Sequence, residues 1–446
     1  MKDVFTGAFA AIAIPICFGV IALVYWFFVR GSDIAFIPAI SLALFLLPLF
    51  LPVVLFYLTH ERWIEFVREM FLYNSKRVTL RIKLPPEVLK SPEAMESVFT
   101  QIYAPMNPDN FYQSYIDGKH KLPISLEMAS IGGEVRFYMN VPEKLKNITE
   151  SQLYSQYPGI EVEEELLDYA SELQWDPEKM DLMGFHIVKK EDSIFPIKTY
   201  IEFGHDRLPK EEEKFEPMAA MIEYMSTAKP HERVYIQMIC TPHAKENLLT
   251  GSLTEKGVWT SDARKKINDM MKRDDTGIAV MDEEENQTRS MLTMGERDTI
   301  SAIERNVSKA AYDVGIRGMY VTLDKTQFNP GMIAPTFGSF TQFSVGGRNA
   351  LGPRWKTDFD YSWYEDVTGK KKLARKEDEV KQFKLRKYWA GSGKVNDIHQ
   401  PKTMSVEELA TIFHIPGSSV LTPGLSRIAS KRQNAPGNLP VGELPF

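Results

Sequence analysis

Hydrophobic and polar positions divide this chain into three regimes. In the first, Val4–Val29 and Ile34–Leu58 carry no charged residue, and only Arg30-Gly31-Ser32-Asp33 separates them. At about 1.5 Å per residue a helix of either run reaches about 38 Å, enough to cross a hydrocarbon core of about 30 Å with tilt. The pattern predicts a transmembrane helical hairpin over 1–59, with Trp26, Tyr57 and Trp63 as interfacial aromatic anchors. The first run is too long for the apolar core of a cleaved signal peptide, and a second span follows it at once. Arg62, Arg68, Lys76 and Arg77 follow the second run, whereas the turn offers Arg30 alone. The positive-inside rule then puts both termini in the cytoplasm and the chain in the inner membrane with two spans. Residues 60–75 read as a juxtamembrane amphipathic helix, with Trp63, Phe66, Val67, Met70 and Phe71 on one face and Glu61, Arg62, Glu65, Arg68 and Glu69 on the other. Such a helix lies on a membrane or packs on the domain that follows.

In the second regime the period shortens to two. Leu80, Ile82 and Leu84 alternate with charged residues, Ile124, Leu126 and Met128 with Ser125 and Glu127, and Val135, Phe137, Met139 and Val141 with Arg136, Tyr138 and Asn140. Ser91-Pro92 opens a helix with Met95, Val98, Phe99 and Ile102 on its stripe, Pro142 opens another, and Ile160 and Val162 begin a last strand. The order β-α-β-β-α-β over 76–166 predicts a ferredoxin-like domain, with Met128 and Phe137 on the core face and Glu127, Arg136 and Tyr138 off it. Strand patterns at Ile197–Phe203, Val234–Met238 and Met319–Leu323 alternate with helices, one opened by Thr293 to Glu296 as a capping box. They predict a second α+β domain over 167–350 with a helical insertion. The third regime, 351–446, is a basic segment followed by a Pro/Gly-rich tail without a period, an extended strap suited to lie across a partner.

Composition narrows the function. Lys and Arg number 53 against 59 Asp and Glu, so the chain as a whole is no basic nucleic-acid binder. Two cysteines exclude a disulfide framework and a cysteine-based zinc site. Gly391-Ser392-Gly393-Lys394 lacks the earlier glycine and the following Ser or Thr that a phosphate loop needs. The eight histidines show no metal-ligand spacing, and no serine sits in a nucleophile elbow. No catalytic, cofactor-binding or metal-binding residue is therefore expected. Lys370, Lys371, Lys372, Arg375, Lys376, Lys384, Arg386 and Lys387, interleaved with aromatics, are the candidate contacts for nucleic acid or another anionic surface. A charged helix face is the plainer reading, because Glu377, Asp378 and Glu379 interrupt the run.

Several stretches carry a resemblance. They are Ser125–Tyr138, Glu150–Pro158, Gly315–Tyr320, Phe337–Phe340 and Glu407–Gly417. Together they resemble an uncharacterised family of candidate-phyla bacteria: the membrane-anchored, non-catalytic region associated with HerA/FtsK-like ATPases of type IV secretion and conjugation. The resemblance implies a non-enzymatic membrane platform or accessory subunit that recruits a separate cytoplasmic translocation ATPase, and it carries over no catalytic residue. Its partners would be the lipid bilayer, that ATPase and further copies of the chain in a homo-oligomer, with nucleic acid entering only through the basic segment. Two other classes stay open: a membrane-bound sensor or regulatory protein with ligand-binding α+β domains, and a divergent envelope enzyme.

Overall fold

The computed structural model describes Leu55, 59–60 and 62–428, apart from 86–87, 89, 105–107, 109, 205–214, 247–252, 256, 272–291, 358–365, 389–400, 418–419 and 421. Among the described residues no helix is long and apolar enough to cross a membrane. The longest described helices, Met294–Ser308 and Lys370–Lys384, have 15 residues, about 22 Å at 1.5 Å each, and both are studded with charge. The expected transmembrane hairpin and the two-span inner-membrane placement therefore find no support in the described helices. Residues 1–54 and Tyr57, on which the hairpin was read, lie outside the described residues, as does Trp26.

Helix α1 spans 62–74. Then follow β1 (Arg77–Lys83), α2 (Glu93–Gln101), α3 (Phe111–Tyr115), β2 (Ile124–Ile131), β3 (Glu134–Pro142), α4 (Glu143–Gln156) and β4 (Glu161–Glu164). Next are α5 (Tyr169–Glu172), β5 (Asp181–Lys189), α6 (Ala219–Ser226), β6 (Glu232–Pro242), β7 (Ala244–Glu246), β8 (Leu253–Glu255), α7 (Gly257–Met270) and α8 (Met294–Ser308). The chain continues through β9 (Ala311–Thr322), α9 (Ile333–Gly338), β10 (Leu351–Lys356), α10 (Lys370–Lys384), β11 (Lys402–Ser405) and α11 (Val406–Ile412).

The two separate α+β domains expected from the pattern are replaced by one nine-stranded antiparallel sheet. Its order is β10-β5-β9-β6-β2-β3-β1-β4, with β11 pairing the start of β9, and β7 and β8 form a small hairpin apart from it. The two halves meet where β2 pairs β6 along its whole length, from Ile124 opposite Cys240 to Ile131 opposite Arg233. The physical reason lies in β2 itself, which is buried at seven of eight positions. An edge strand of that composition would offer an unpaired, apolar ladder to aggregation, and β6 removes the edge. The halves share an arrangement: β4-β1-β3-β2 on one side is echoed by β10-β5-β9-β6 on the other, with β7, β8, α7 and α8 inserted between β6 and β9.

Helices cover both faces of the sheet, so alternation along a strand separates two interiors rather than interior and solvent. One core gathers Met128 and Phe137 with Phe99 of α2, Leu153 of α4, Met221 and Ile222 of α6, and Leu409, Ile412 and Phe413 at α11. The opposite core packs Tyr138, Tyr235, Met319 and Val321 against Tyr169 of α5 and Val380 and Phe383 of α10. The expected solvent exposure of Tyr138 and Glu127 is thereby corrected: both are fully buried. A third cluster joins Trp259 and Ala263 of α7 to Ile303 and Val307 of α8. Capping boxes start α8 at Thr293 with Glu296 and α11 at Ser405 with Glu408. Glu408 also meets Lys189 of β5 at 2.8 Å, both side chains fully buried. Burial lowers the pKa of Lys189, and the Glu408 carboxylate opposes that shift.

Candidate functional site: a buried charge ladder and an exposed aromatic surface

Four strands of the sheet each place one polar residue in the same cross-strand row. Glu127 of β2 stands opposite Gln237 of β6, Gln237 opposite Arg317 of β9, and Arg317 opposite His186 of β5. All four are buried under α10. Gln237 relays between charges: its Nε2 donates to Glu127 Oε1 at 3.1 Å and its Oε1 accepts from Arg317 Nη1 at 3.1 Å. From above, Glu379 of α10 meets Arg317 Nε at 2.6 Å and His186 Nε2 at 3.0 Å. Arg317 Nη2 donates to Lys387 O at 3.0 Å, and Gln237 Nε2 also reaches Phe383 O at 3.2 Å. The row is thus fastened to α10 and its C-terminal turn by main chain and side chain together.

Arg386 closes the row at its Glu127 end. Its Nε and Nη2 donate to the two Glu127 oxygens at 2.7 and 3.1 Å, and Nη1 and Nη2 donate to Asp168 at 2.6 and 2.8 Å. Tyr169 and Ser125 also donate to Glu127, at 2.6 and 2.5 Å. Burial disfavours the Arg386 charge, yet Glu127 and Asp168 outweigh it and hold its pKa well above the usual value. Burial, and then the Glu127 carboxylate, push the Tyr169 phenol far up. Arg386 has φ 50°, the left-handed region, and is the one non-glycine there among the described residues. A non-glycine held in that region signals a conformation imposed by its surroundings. With its acceptors filled by donors, the ladder is built to hold α10 on the sheet.

A second feature lies at the other end of Lys387, whose Nζ pairs with Glu69 of α1. Ile64 and Val67 bury one stripe of α1. The helix packs so closely on the turn after α3 that a Cβ at Gly118 would lie 2.1 Å from Val67 O. Trp63 Nε1 donates to Tyr115 O at 2.9 Å, and Phe71 packs on His120 at 5.6 Å between ring centroids. Burial pushes the His120 imidazole down to about 4, against the pull of the Gly118 carbonyl. A second apolar stripe of α1 faces outward at helical spacing: Trp63, Phe66, Met70 and Tyr73, the last two aromatics 55% and 87% exposed. Beside it α3 presents Phe111 and Tyr112, the latter 62% exposed, and Ile116 follows. Scattered single apolar residues are ordinary on a surface; seven on two abutting segments form a patch.

The basic residues singled out from the sequence do not form one strip. Lys376 and Arg386 point inward, Lys376 to Asp181 at 2.5 Å and Arg386 to its carboxylates. Lys387 is engaged by Glu69, and Arg375 and Lys384 are half-buried. Lys370 and Lys371 are exposed, while Lys372 is half-buried, its amide donating to Asp366 Oδ2 at 2.9 Å. Gly391–Lys394 lie outside the described residues. Of the three aromatic anchors only Trp63 is described, and its indole is turned to a protein carbonyl. Among the described residues no group of three or more His, Cys, Asp or Glu could hold a metal ion.

The sequence reading gave no site role to Glu127, Asp168, His186, Gln237, Arg317 or Glu379. A signal was present: each ladder position on a strand is a lone polar residue amid apolar neighbours, as in Leu126-Glu127-Met128, Ile236-Gln237-Met238, Ile316-Arg317-Gly318 and Phe185-His186-Ile187.

The fold and these two features define an α+β protein whose antiparallel sheet is clad on both faces and pinned by buried ion pairs. The chain belongs to the family described as a domain of unknown function (DUF8128), whose model matches residues 74–343. No curated protein and no solved structure matches it.

Proposed function

We propose that this chain is a non-catalytic accessory subunit that binds a separate translocation ATPase of the type IV secretion or conjugation class. The observation that carries the reading is the aromatic surface of α1 and α3: Trp63, Phe66, Met70 and Tyr73 beside Phe111, Tyr112 and Ile116. Aromatic and methionine side chains are the residues enriched where proteins dock, because they bury much area at little entropic cost. The chemistry of the ladder supports the same reading, since its charged groups are engaged in fastening α10 rather than held ready for a substrate.

The test is co-expression with a HerA/FtsK-like ATPase encoded beside the chain, followed by size-exclusion chromatography with light scattering. The wild-type chain should co-elute with the ATPase in fixed stoichiometry. Phe66→Glu with Tyr112→Glu, both on exposed positions, should abolish the complex and leave the melting temperature within a few degrees. Separate elution of the two wild-type proteins contradicts the proposal.

A further inference from the structure

Residues 422–428, part of the tail expected to lie across a partner, lie on the chain's own sheet. β1 pairs β3 only as far as Ile82 opposite Phe137, so the start of β3 runs on beyond the partner strand. Residues 422–428 fill the place. Val135 N–H donates to Gly424 O at 2.8 Å, Ile428 N–H donates to Leu84 O at 2.8 Å, and parallel bridges join Val135 with Leu425 and Leu84 with Arg427. Leu425 is buried in the core that holds Phe137 and Phe413. Two residues on, the Arg427 guanidinium donates to Pro85 O at 3.1 Å, Gly417 O at 2.8 Å and Val420 O at 3.3 Å. Only glycine fits before the leucine, because a Cβ at Gly424 would lie 2.1 Å from Gly133 O.

We propose that this slot is a strand-addition site for an extended peptide of the pattern Gly-Leu-x-Arg in a partner protein, and that the chain's own residues 422–428 occupy it as an internal ligand. The contacts have the form of strand addition: main-chain bonds give affinity and a pocket for one side chain gives specificity. The main-chain pairing is short. Two isolated bridges replace a ladder, Pro423 and Ser426 are exposed, and an open groove of about 450 Å³ runs beside the strap between Gly132, Gly133, Glu134 and Ser226. An internal ligand competes at an effective concentration of about millimolar, so a partner peptide must outbind it or meet it when it lifts.

The probe is a fluorescent synthetic peptide of residues 420–430, titrated by anisotropy into the full chain. Gly424→Ala with Leu425→Asp should evict the strap, and this variant should bind the peptide at least about tenfold more tightly than wild type. A peptide carrying the same two changes should bind neither. Arg427→Ala, a milder change that leaves the buried leucine in place, should also tighten peptide binding over wild type. Equal affinity of all three folded chains, or no binding to any, overturns the proposal. The outcome is independent of the ATPase experiment, which reads the α1 and α3 surface.

Discussion

Arg386 is the part of the buried ladder that a stability measurement reads most directly. Its guanidinium makes four hydrogen bonds to two carboxylates, and Glu127 beneath it is fully buried. Arg386→Met keeps much of the stem's packing and removes the charge. Glu127 then retains Ser125, Tyr169 and Gln237 as neutral donors but loses the cation bonded to it, and Arg77 acts on it only through space. Breaking a buried pair by removing one partner costs about 3–5 kcal/mol, chiefly from the charge left behind. Methionine inherits the φ of 50°, so the backbone conformation contributes no relief. The expected loss is about 4 kcal/mol by urea denaturation. At about 2–4 °C per kcal/mol for a large domain, the melting temperature should fall by about 8–16 °C. Adding Glu127→Gln removes the orphaned charge and should restore more than about 1 kcal/mol, a coupling that only a direct pair produces. A loss under about 1 kcal/mol for Arg386→Met, or strict additivity of the two changes, would refute the claim that this pair pins α10 to the sheet.

Other consequences follow from burial and charge. Phe137→Asp and Tyr138→Asp should destabilise comparably, by several kcal/mol each in urea, because the two residues face two filled cores; a mild Tyr138→Asp would mean that α5 and α10 do not cover that face. His120 titrates near 4 in the fold against 6.5 as its ordinary value, so the unfolded chain takes up the proton first. Its contribution is therefore full above about pH 6.5, declines as pH falls, and is gone below about 4. Melting temperatures across that window should drop more for wild type than for His120→Phe; parallel curves would rule out the buried imidazole. Glu216 runs the same way at lower pH. Burial raises its pKa, but the His414 ring at 2.6 Å and two backbone amides more than offset this and bring it to about 2, below its ordinary 4.5. Its stabilisation is present above about 4.5 and is lost as pH approaches 2, and Glu216→Gln should flatten that acid limb.

What was legible in the chain depended on range. Alternation marked β1, β2 and β3, and Thr293 with Glu296 announced the start of α8, because these are local patterns that nearest neighbours impose. The joining of two halves into one sheet was not legible, since pairing of β2 with β6 depends on residues more than a hundred positions apart. The same distance hid the second core. Tyr138 looks like a solvent-side residue until α10, some 240 positions later, is laid over it. The basic run misled for a related reason: Lys376 and Arg386 look like surface charge unless Asp181, Glu127 and Asp168 are known to lie beneath. Glu127, Gln237, Arg317 and His186 each broke an apolar strand, and read together those four interruptions would have pointed to a buried polar row. The seven aromatic and aliphatic residues outside the core were half visible: Trp63, Phe66 and Met70 were read on the apolar face of α1, but Val67, placed with them, turns inward, Tyr73 was not picked out, and the meeting with α3 rests on the Gly118 turn.

The most direct test of the partner-binding role is hydrogen exchange, read by mass spectrometry, on the full chain with and without the co-expressed ATPase. Residues 62–74 and 111–116 should gain protection on complex formation, while the strands of the ladder, already protected under α10, should change little. Unchanged exchange at 62–74 and 111–116 in a complex that forms, with new protection elsewhere on the chain, would contradict the assignment of that surface.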